Sequence, residues 1–421
     1  MKTFKTTVRA TQAVMLAVLL GLLCGCPCDT DTASDDPLGV ADDYWPPWVT
    51  KTTTNSATIN WRGDTSQSGS VLYATSAYYG EHQSFDKTVT AGTAWYQRVE
   101  LAGLEPNTSY SYWVKPSGNE NEFGVRTFRT MPAGGPFKFI VISDSQEGHH
   151  YDETMRFKYV ADAIAREPDV LFILDGGDYA RFDKESRWAT YFQVADPMLA
   201  KFPIFPVIGN HEYHNYDSTI VTPSAAAYFH HAYDMPLNYS FDCADVRFVI
   251  LNSPDPNNAN GADPHTSLAL TQSQAPWLEE KLNVNMSGIF TMHHHPIWDD
   301  NKTVCDPNLQ PWETLYHTYG ISATFAGHKH NYQSYVVGGI PYFIVGTAGG
   351  PFTGLAEIHP DGFRDGMAGH LGYLRVTVDP ENNTATAEQV AVASVTDSDS
   401  ATLPNVFDEP RIDDTITFSL R

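Results

Sequence analysis

Basic residues are scarce in this 421-residue chain, where 26 Lys and Arg face 50 Asp and Glu for a formal net charge of −24. Nucleic acid and anionic membrane surfaces are held by basic patches that replace released counterions, so a field of this sign argues against both as partners. Charged residues of either sign make up only 18% of the chain against 42% hydrophobic, which argues against disorder for its bulk. No internal repeat is present. The apolar run from Ala13 to Leu23 falls short of the roughly 20 residues that cross a bilayer. The length suffices for two or three domains, each able to bury its own core.

That apolar run reads as part of a targeting segment. Lys2, Lys5 and Arg9 form a positive start, and Leu23-Cys24-Gly25-Cys26 closes the run. A small residue directly before a cysteine resembles the bacterial lipobox. It implies a lipoprotein signal peptide over residues 1–25, lipid on the Cys26 thiol, and an exported protein in the bacterial cell envelope, periplasmic or at the cell surface, that meets the membrane only through its anchor. Residues 26–43, rich in Asp, Ser and Thr, then form an acidic tether. Cys28, Cys243 and Cys305 would remain in an oxidising compartment, where a disulfide between Cys243 and Cys305 is one candidate pairing.

Residues 44–132 show no helical period. Ala57 to Trp61, Ser70 to Ala74, Tyr96 to Leu101 and Tyr110 to Val114 alternate as strands, with Gly, Pro, Asn and Asp between them, which predicts a β-sandwich. Leu104-Glu105-Pro106-Asn107-Thr108-Ser109-Tyr110, followed by Thr127-Phe128-Arg129-Thr130, resembles the fibronectin type III pattern. Met131 to Pro136 is a linker by composition. From Phe137 helical periods alternate with apolar strands, at Asp152 to Arg166, Ser186 to Leu199 and Leu268 to Leu282, which predicts an α/β domain over residues 137–395. Tyr373 to Val378 and Ala385 to Val392 read as a hairpin completing a sheet, Thr396 to Thr402 as a surface loop, and residues 396–421 as a C-terminal tail or strand.

Five short apolar runs in this second part each end in metal-ligand residue types. Phe139 to Ile142 leads into Ser143-Asp144-Ser145-Gln146, Val170 to Leu174 into Asp175-Gly176-Gly177-Asp178, and Phe205 to Ile208 into Gly209-Asn210-His211-Glu212. Ile289 to Met292 leads into His293-His294-His295-Pro296, and Ala323 to Ala326 into Gly327-His328-Lys329-His330. Ligands of open α/β sheets sit at the carboxyl ends of the strands, so five such ends can converge on one site. Carboxylates, amides and imidazoles are donors that borderline divalent metals accept.

This ordered series resembles the calcineurin-like metallophosphoesterases, and the sandwich ahead of it narrows the resemblance to the purple-acid-phosphatase-like branch. The resemblance implies a two-sheet α/β domain and hydrolysis of phosphate esters, by a phosphatase or a phosphodiesterase, through attack of a metal-bound hydroxide at two divalent ions, Zn, Mn or Fe. One metal would take Asp144, Asp178 and His330. The other would take Asp178, Asn210, His294 and His328, with Asp178 as the bridge. His211 would assist the leaving oxygen, and Glu212 would orient His211. Neighbours on a strand point to opposite faces, so the three consecutive histidines cannot all reach one metal. The family places its ligand two residues before a proline, which selects His294, with His293 the alternative.

Two positions depart from the family pattern. Gln146 replaces a histidine ligand with a weaker amide donor. Arg181 stands where purple acid phosphatases carry the tyrosine whose bond to ferric iron gives the colour, which implies a colourless protein. Arg181 would either fork onto a substrate phosphate or lie on the surface. His149, His150, His214, His230 and His231 are further candidates for the site, and Trp298 is either a cleft wall or a core residue. Substrate choice would lie in loops such as Asn257 to His265 and Asn301 to Pro311. The rival reading is a non-catalytic, lipid-anchored surface binding protein with a degenerate metal site.

Overall fold

The computed structural model describes residues 44–421 except 117–122, 147–151, 214–225, 259–264, 302–303, 357–358, 361 and 397–403. The signal segment with Cys26, the tether, His149, His150, His214 and most of the loop expected at 396–402 lie outside the described residues.

The first domain is built on β1 (Trp45–Thr50), β2 (Ser56–Thr75), β3 (Lys87–Ala102), β4 (Ser109–Pro116) and β5 (Arg126–Arg129). The runs at Ala57 and Ser70, expected as separate strands, are the two halves of the single strand β2. Its first half pairs with β1 and its second with β4, while β3 follows it throughout with register breaks between Arg62 and Gly69. Such breaks bend a strand and let it turn a corner between layers. Ile59, Trp61, Val71, Tyr73, Val99, Tyr112 and Phe128 consequently share one core, and the sheet folds over on itself as a sandwich.

A short helix, α1 (Ser76–His82), interrupts the sandwich, where no helix was expected. None of its side chains is buried, so it has no apolar stripe to read. Its ends are set locally: the Thr75 hydroxyl accepts from Tyr78 N, and Gln83 closes it at φ 50°.

The rest of the chain runs β6 (Phe137–Ile142), α2 (Asp152–Ile164), β7 (Val170–Asp175), α3 (Glu185–Leu199), β8 (Ile204–Pro206), α4 (Ala227–Tyr233), β9 (Tyr239–Cys243), β10 (Val246–Ile250), α5 (Leu268–Leu282), β11 (Gly288–Met292), α6 (Gln310–Tyr319), β12 (Ala323–Ala326), β13 (Tyr332–Val337), β14 (Ile340–Val345), β15 (Phe363–Met367), β16 (His370–Asp379), β17 (Thr384–Ser394) and β18 (Asn405–Ser419). Two sheets result, in the orders β18-β17-β16-β6-β7-β8 and β15-β13-β14-β12-β11-β10-β9. The hairpin of β16 and β17 does not complete its sheet; β18, from the expected tail, pairs with β17 and forms the edge.

Phenylalanines from both sheets interleave between them. Phe139 stacks on Phe172 at 5.3 Å within one sheet and meets Phe290 and Phe325 of the other edge-on at 5.7 and 5.9 Å. β6, β7 and β8 are parallel neighbours, as are β11 and β12. Three strand ends from one sheet and two from the other therefore open toward one crevice.

The sandwich shares this core. Trp45 and Trp48 of β1 stack on Phe192 of α3 at 4.8 and 4.1 Å. The candidate disulfide is absent: Cys243 and Cys305 are not bonded to each other. Cys243 is buried in the core between the sheets, whereas Cys305 packs with the cluster that includes Trp312 of α6.

Candidate metal centre

Tight turns aim the donors. Asp144, Asp178 and His328, each just past a strand end, have φ values of 62°, 58° and 68°. The left-handed region costs a residue with a Cβ roughly 1–2 kcal/mol, so the surroundings must hold it in place. They do so reciprocally. Asp144 N donates to Gly177 O at 3.0 Å, His328 N donates to both Asp144 carboxylate oxygens at 3.0 and 2.9 Å, and Asp178 N donates to Glu212 Oε2 at 2.9 Å. Space is equally constrained: a Cβ on Gly209 would strike the Asp178 carboxylate, and one on Gly327 would strike Ser143 Oγ.

The donor atoms converge. Asp178 Oδ2 lies 3.2 Å from His294 Nε2, and Asp144 Oδ1 lies 3.4 Å from His330 Nε2. Asn210 Oδ1 sits between His294 Nε2 at 2.9 Å and His328 Nδ1 at 3.0 Å. Two triads result, Asp144-Asp178-His330 and Asp178-His294-His328, each with ligand atoms within 4.8 Å of one another. Asp178 belongs to both.

Backbone carbonyls set the histidine tautomers. A carbonyl only accepts, so the His294 bond to Gly176 O at 2.8 Å and the His330 bond to Pro351 O at 2.5 Å put the proton on Nδ1 and turn Nε2 toward the centre. Such outer bonds orient imidazole ligands and raise their basicity. Neither Gly176 nor Pro351 was singled out as a site residue from the sequence; the run of small residues from Gly346 to Pro351 was the signal available. Gly350 leaves room for the His330 ring, since a Cβ there would lie 3.0 Å from it.

Gln146 joins the first triad. Its Nε2 is 3.3 Å from Asp178 Oδ2 and 3.1 Å from His330 Nε2, while its Oε1 is buried without a hydrogen-bond partner. Two carboxylates, three imidazoles and the Asn210 amide, with a Gln146 amide whose oxygen has no other partner, form the donor set that oxygen- and nitrogen-loving divalent cations fit.

The electrostatics point the same way. Burial opposes ionisation of Asp178, yet the facing His294 and His211 hold its carboxyl well below the usual range. Burial would also lower His294, but Asp178 and then Asp144 lift it to about 10. Burial likewise opposes the charge on His330, and Asp144 raises it. Burial, with His295 and His294 facing it, keeps His328 well below its ordinary value. The two carboxylates thus draw positive charge into a buried space.

The three histidines lie just past the end of β11, in a bend, and their side chains take different directions. His294 faces the centre. His293 turns away, bonded to His295 O at 2.7 Å and Thr324 Oγ1 at 3.3 Å and packed on Trp312. His295 bonds Ser253 Oγ at 3.0 Å.

His211 flanks the centre. Its Nδ1 donates to Arg181 O at 2.7 Å, and its Nε2 lies 3.9 Å from Asp178 Oδ2. Glu212 does not orient it. The Glu212 carboxylate accepts from the backbone of Asp178, Tyr179 and Gly209 at 2.8 to 2.9 Å, and so braces the turn that carries the bridging aspartate.

Elsewhere, His231 stacks on Tyr96 of the sandwich at 4.4 Å and the His230 carbonyl accepts from Arg98, which places both at the domain junction. Trp298 packs with the α6 cluster and donates to Glu313 at 2.8 Å. Arg181 lies over the Phe182 ring at 5.3 Å.

Residues 137–332 match the family model described as calcineurin-like phosphoesterase, and residues 47–130 match that described as purple acid phosphatase, N-terminal domain. The chain joins a purple acid phosphatase N-terminal domain to a calcineurin-like metallophosphoesterase domain. The chain is similar to Purple acid phosphatase 21 of Arabidopsis thaliana, 25% identical over 286 residues that cover 61% of this chain, and it spans only 60% of that relative's length. Among solved structures, a purple acid phosphatase from yellow lupin seeds has a TM-score of 0.66 at 14% identity, covering 89% of this chain and 74% of that chain. PhoD has a TM-score of 0.67 at 14% identity, covering 90% and 91%. Both structural likenesses are of fold.

Proposed function

We propose that this metallophosphoesterase is an exported, lipid-anchored hydrolase of phosphate esters with a dinuclear centre of Zn, Mn or Fe. The observation that supports it most directly is the pair of donor triads sharing Asp178. The location rests on Leu23-Cys24-Gly25-Cys26 in the sequence.

In this reading Asp144, Asp178, His330 and the Gln146 amide oxygen hold one metal, and Asp178, Asn210, His294 and His328 hold the other. The pair, when bound, would acidify the attacking water and neutralise charge on the phosphoryl oxygens. Asp178 is suited to be shared because it belongs to both triads, with Oδ2 facing His294 Nε2 and Gln146 Nε2 and Oδ1 held by the His211 backbone N–H. The Gly176 and Pro351 carbonyls keep the imidazoles of His294 and His330 in the tautomer that presents Nε2.

His211 works on the departing side. With Nδ1–H donating to the Arg181 carbonyl, the doubly protonated ring would present its second N–H at Nε2, and the side chain is 24% exposed at the rim of the buried cluster. As the bond from phosphorus to the ester oxygen breaks, that oxygen takes the Nε2 proton.

Hydrolysis of mono- and bis-(p-nitrophenyl) phosphate by protein lacking residues 1–28, loaded with Zn, Mn or Fe, tests this reading. Turnover that depends on added metal supports it, and the faster ester assigns the subclass. Full metal loading without turnover of either ester favours the binding-protein reading.

A further inference from the structure

We propose that the N-terminal sandwich positions the proton donor: the Arg62–Glu185–Tyr96 clamp fixes the segment whose Arg181 carbonyl holds the His211 imidazole. The inference rests on the role given to His211 above. Residues 176–184 have no helix or strand of their own, so bonds from neighbouring segments, many of them made by side chains, define their path. At the start, Glu212 accepts from Asp178 N and Tyr179 N, and the Tyr179 hydroxyl bonds the Asp175 and Val207 carbonyls at 3.2 and 3.1 Å. Two residues beyond Arg181, the Asp183 carboxylate accepts from Trp188 Nε1 at 2.9 Å and Tyr228 N at 3.4 Å.

Glu185, the first residue of α3, comes next and is held from the other domain. Its Oε1 meets Arg62 Nη2 at 2.6 Å and accepts from the Tyr96 hydroxyl at 2.7 Å. The guanidinium is itself confined, 5.4 Å from the Trp95 ring centroid and 5.8 Å from that of Tyr96, and it donates to Gly63 O at 3.0 Å. Three residues therefore separate the carbonyl that orients His211 from a carboxylate gripped by the sandwich. A displacement of about 1 Å in a group that transfers a proton costs up to roughly a hundredfold in rate.

The molecule contains its own control. Arg126 Nη1 meets Asp196 Oδ1 at 2.6 Å and ties the sandwich to α3 eleven positions further along the same helix. The two pairs match in length and setting: the arginine side chains are 5% and 3% exposed, and the carboxylates 34% and 35%. They differ in that only Glu185 adjoins the segment reaching His211.

The test compares Arg62→Ala, Tyr96→Phe and Arg62→Lys with Arg126→Ala in the full metal-loaded protein, reading kcat, KM, metal content and melting temperature. A clamp predicts kcat lowered on the order of tenfold in Arg62→Ala and less in Tyr96→Phe, partial recovery in Arg62→Lys, and KM and metal content unchanged. Arg126→Ala should lose stability and keep its kcat. Equal kcat in Arg62→Ala and Arg126→Ala overturns the proposal. Imidazole nitrogen-15 spectra of metal-free protein, with His211 assigned by comparison with His211→Ala, give a second reading that needs no turnover. The Nδ1-protonated tautomer should dominate in the parent and in Arg126→Ala and lose that dominance in Arg62→Ala; an unchanged tautomer in Arg62→Ala refutes the clamp. A parent without phosphatase turnover would count against the phosphoesterase reading, and the tautomer comparison would still decide whether the clamp exists.

Discussion

Gln146 Nε2 lies 3.1 Å from His330 Nε2, while the oxygen at the other side of the same amide is buried without a partner. Turning the amide over would place that oxygen against the Asp144-Asp178-His330 triad as a neutral, weak ligand. A histidine at this position would supply a stronger one. Gln146→His should tighten the weaker of two metal-binding steps on the order of tenfold by calorimetric titration and leave the other unchanged. No change in either step would mean that Gln146 is not directed at a metal.

His211→Ala should lower kcat by roughly a hundredfold or more without changing metal content, since the ring belongs to neither triad. The loss should depend on the leaving group. p-Nitrophenolate departs with little need of a proton, whereas an alkoxide needs one, so an alkyl phosphate should lose more than the nitrophenyl ester. Equal losses on the two would assign His211 to phosphate binding.

Much of this centre was legible because its side-chain donors follow directly on apolar strands. Asp144, Asp178, Asn210, His294, His328 and His330 are all brought together, while His293, just past the end of β11, turns away from His294. Groups that act through the backbone left no such mark. The Gly176, Arg181 and Pro351 carbonyls decide which imidazole nitrogens face the centre, and a carbonyl has no residue-type signature. Glu212 was read by its neighbour in sequence, whereas its partners are the backbone N–H groups of a different turn. In the fold, the polar stretch within β2 read as a turn between two strands because a bulged corner and a turn use the same residues. The short helices α1 and α4 lack a sustained period. α6 did carry punctuation, with Pro311 in its first turn and Gly320 at φ 63° closing it.

Asp414 of β18 links the two sheets. Its carboxylate accepts from Tyr332 and Ser334 of β13 at 2.7 and 3.1 Å and pairs with Arg364 of β15 at 2.6 Å. Burial alone would raise this carboxyl, but Arg364 and the two hydroxyls more than offset it and hold it below the usual carboxylate range. A depressed carboxyl contributes stability that is fully present above its unfolded value and is lost as pH falls through the folded one. Asp414→Ala should therefore cost about 3 kcal/mol in denaturant unfolding near neutral pH. The gap from the parent should persist down to about pH 4 and close only below it. A gap that closes between pH 7 and 5 would contradict this assignment.

The central claim is that Asp178 serves two metal sites at once. Metal stoichiometry by elemental analysis, on the parent protein and on Asp178→Ala after equilibration with Zn, tests it most directly. The parent should hold two metals per chain, and Asp178→Ala should lose both with the fold retained by circular dichroism. One metal in the parent, or an Asp178→Ala protein that keeps either of two, would contradict a shared bridging carboxylate.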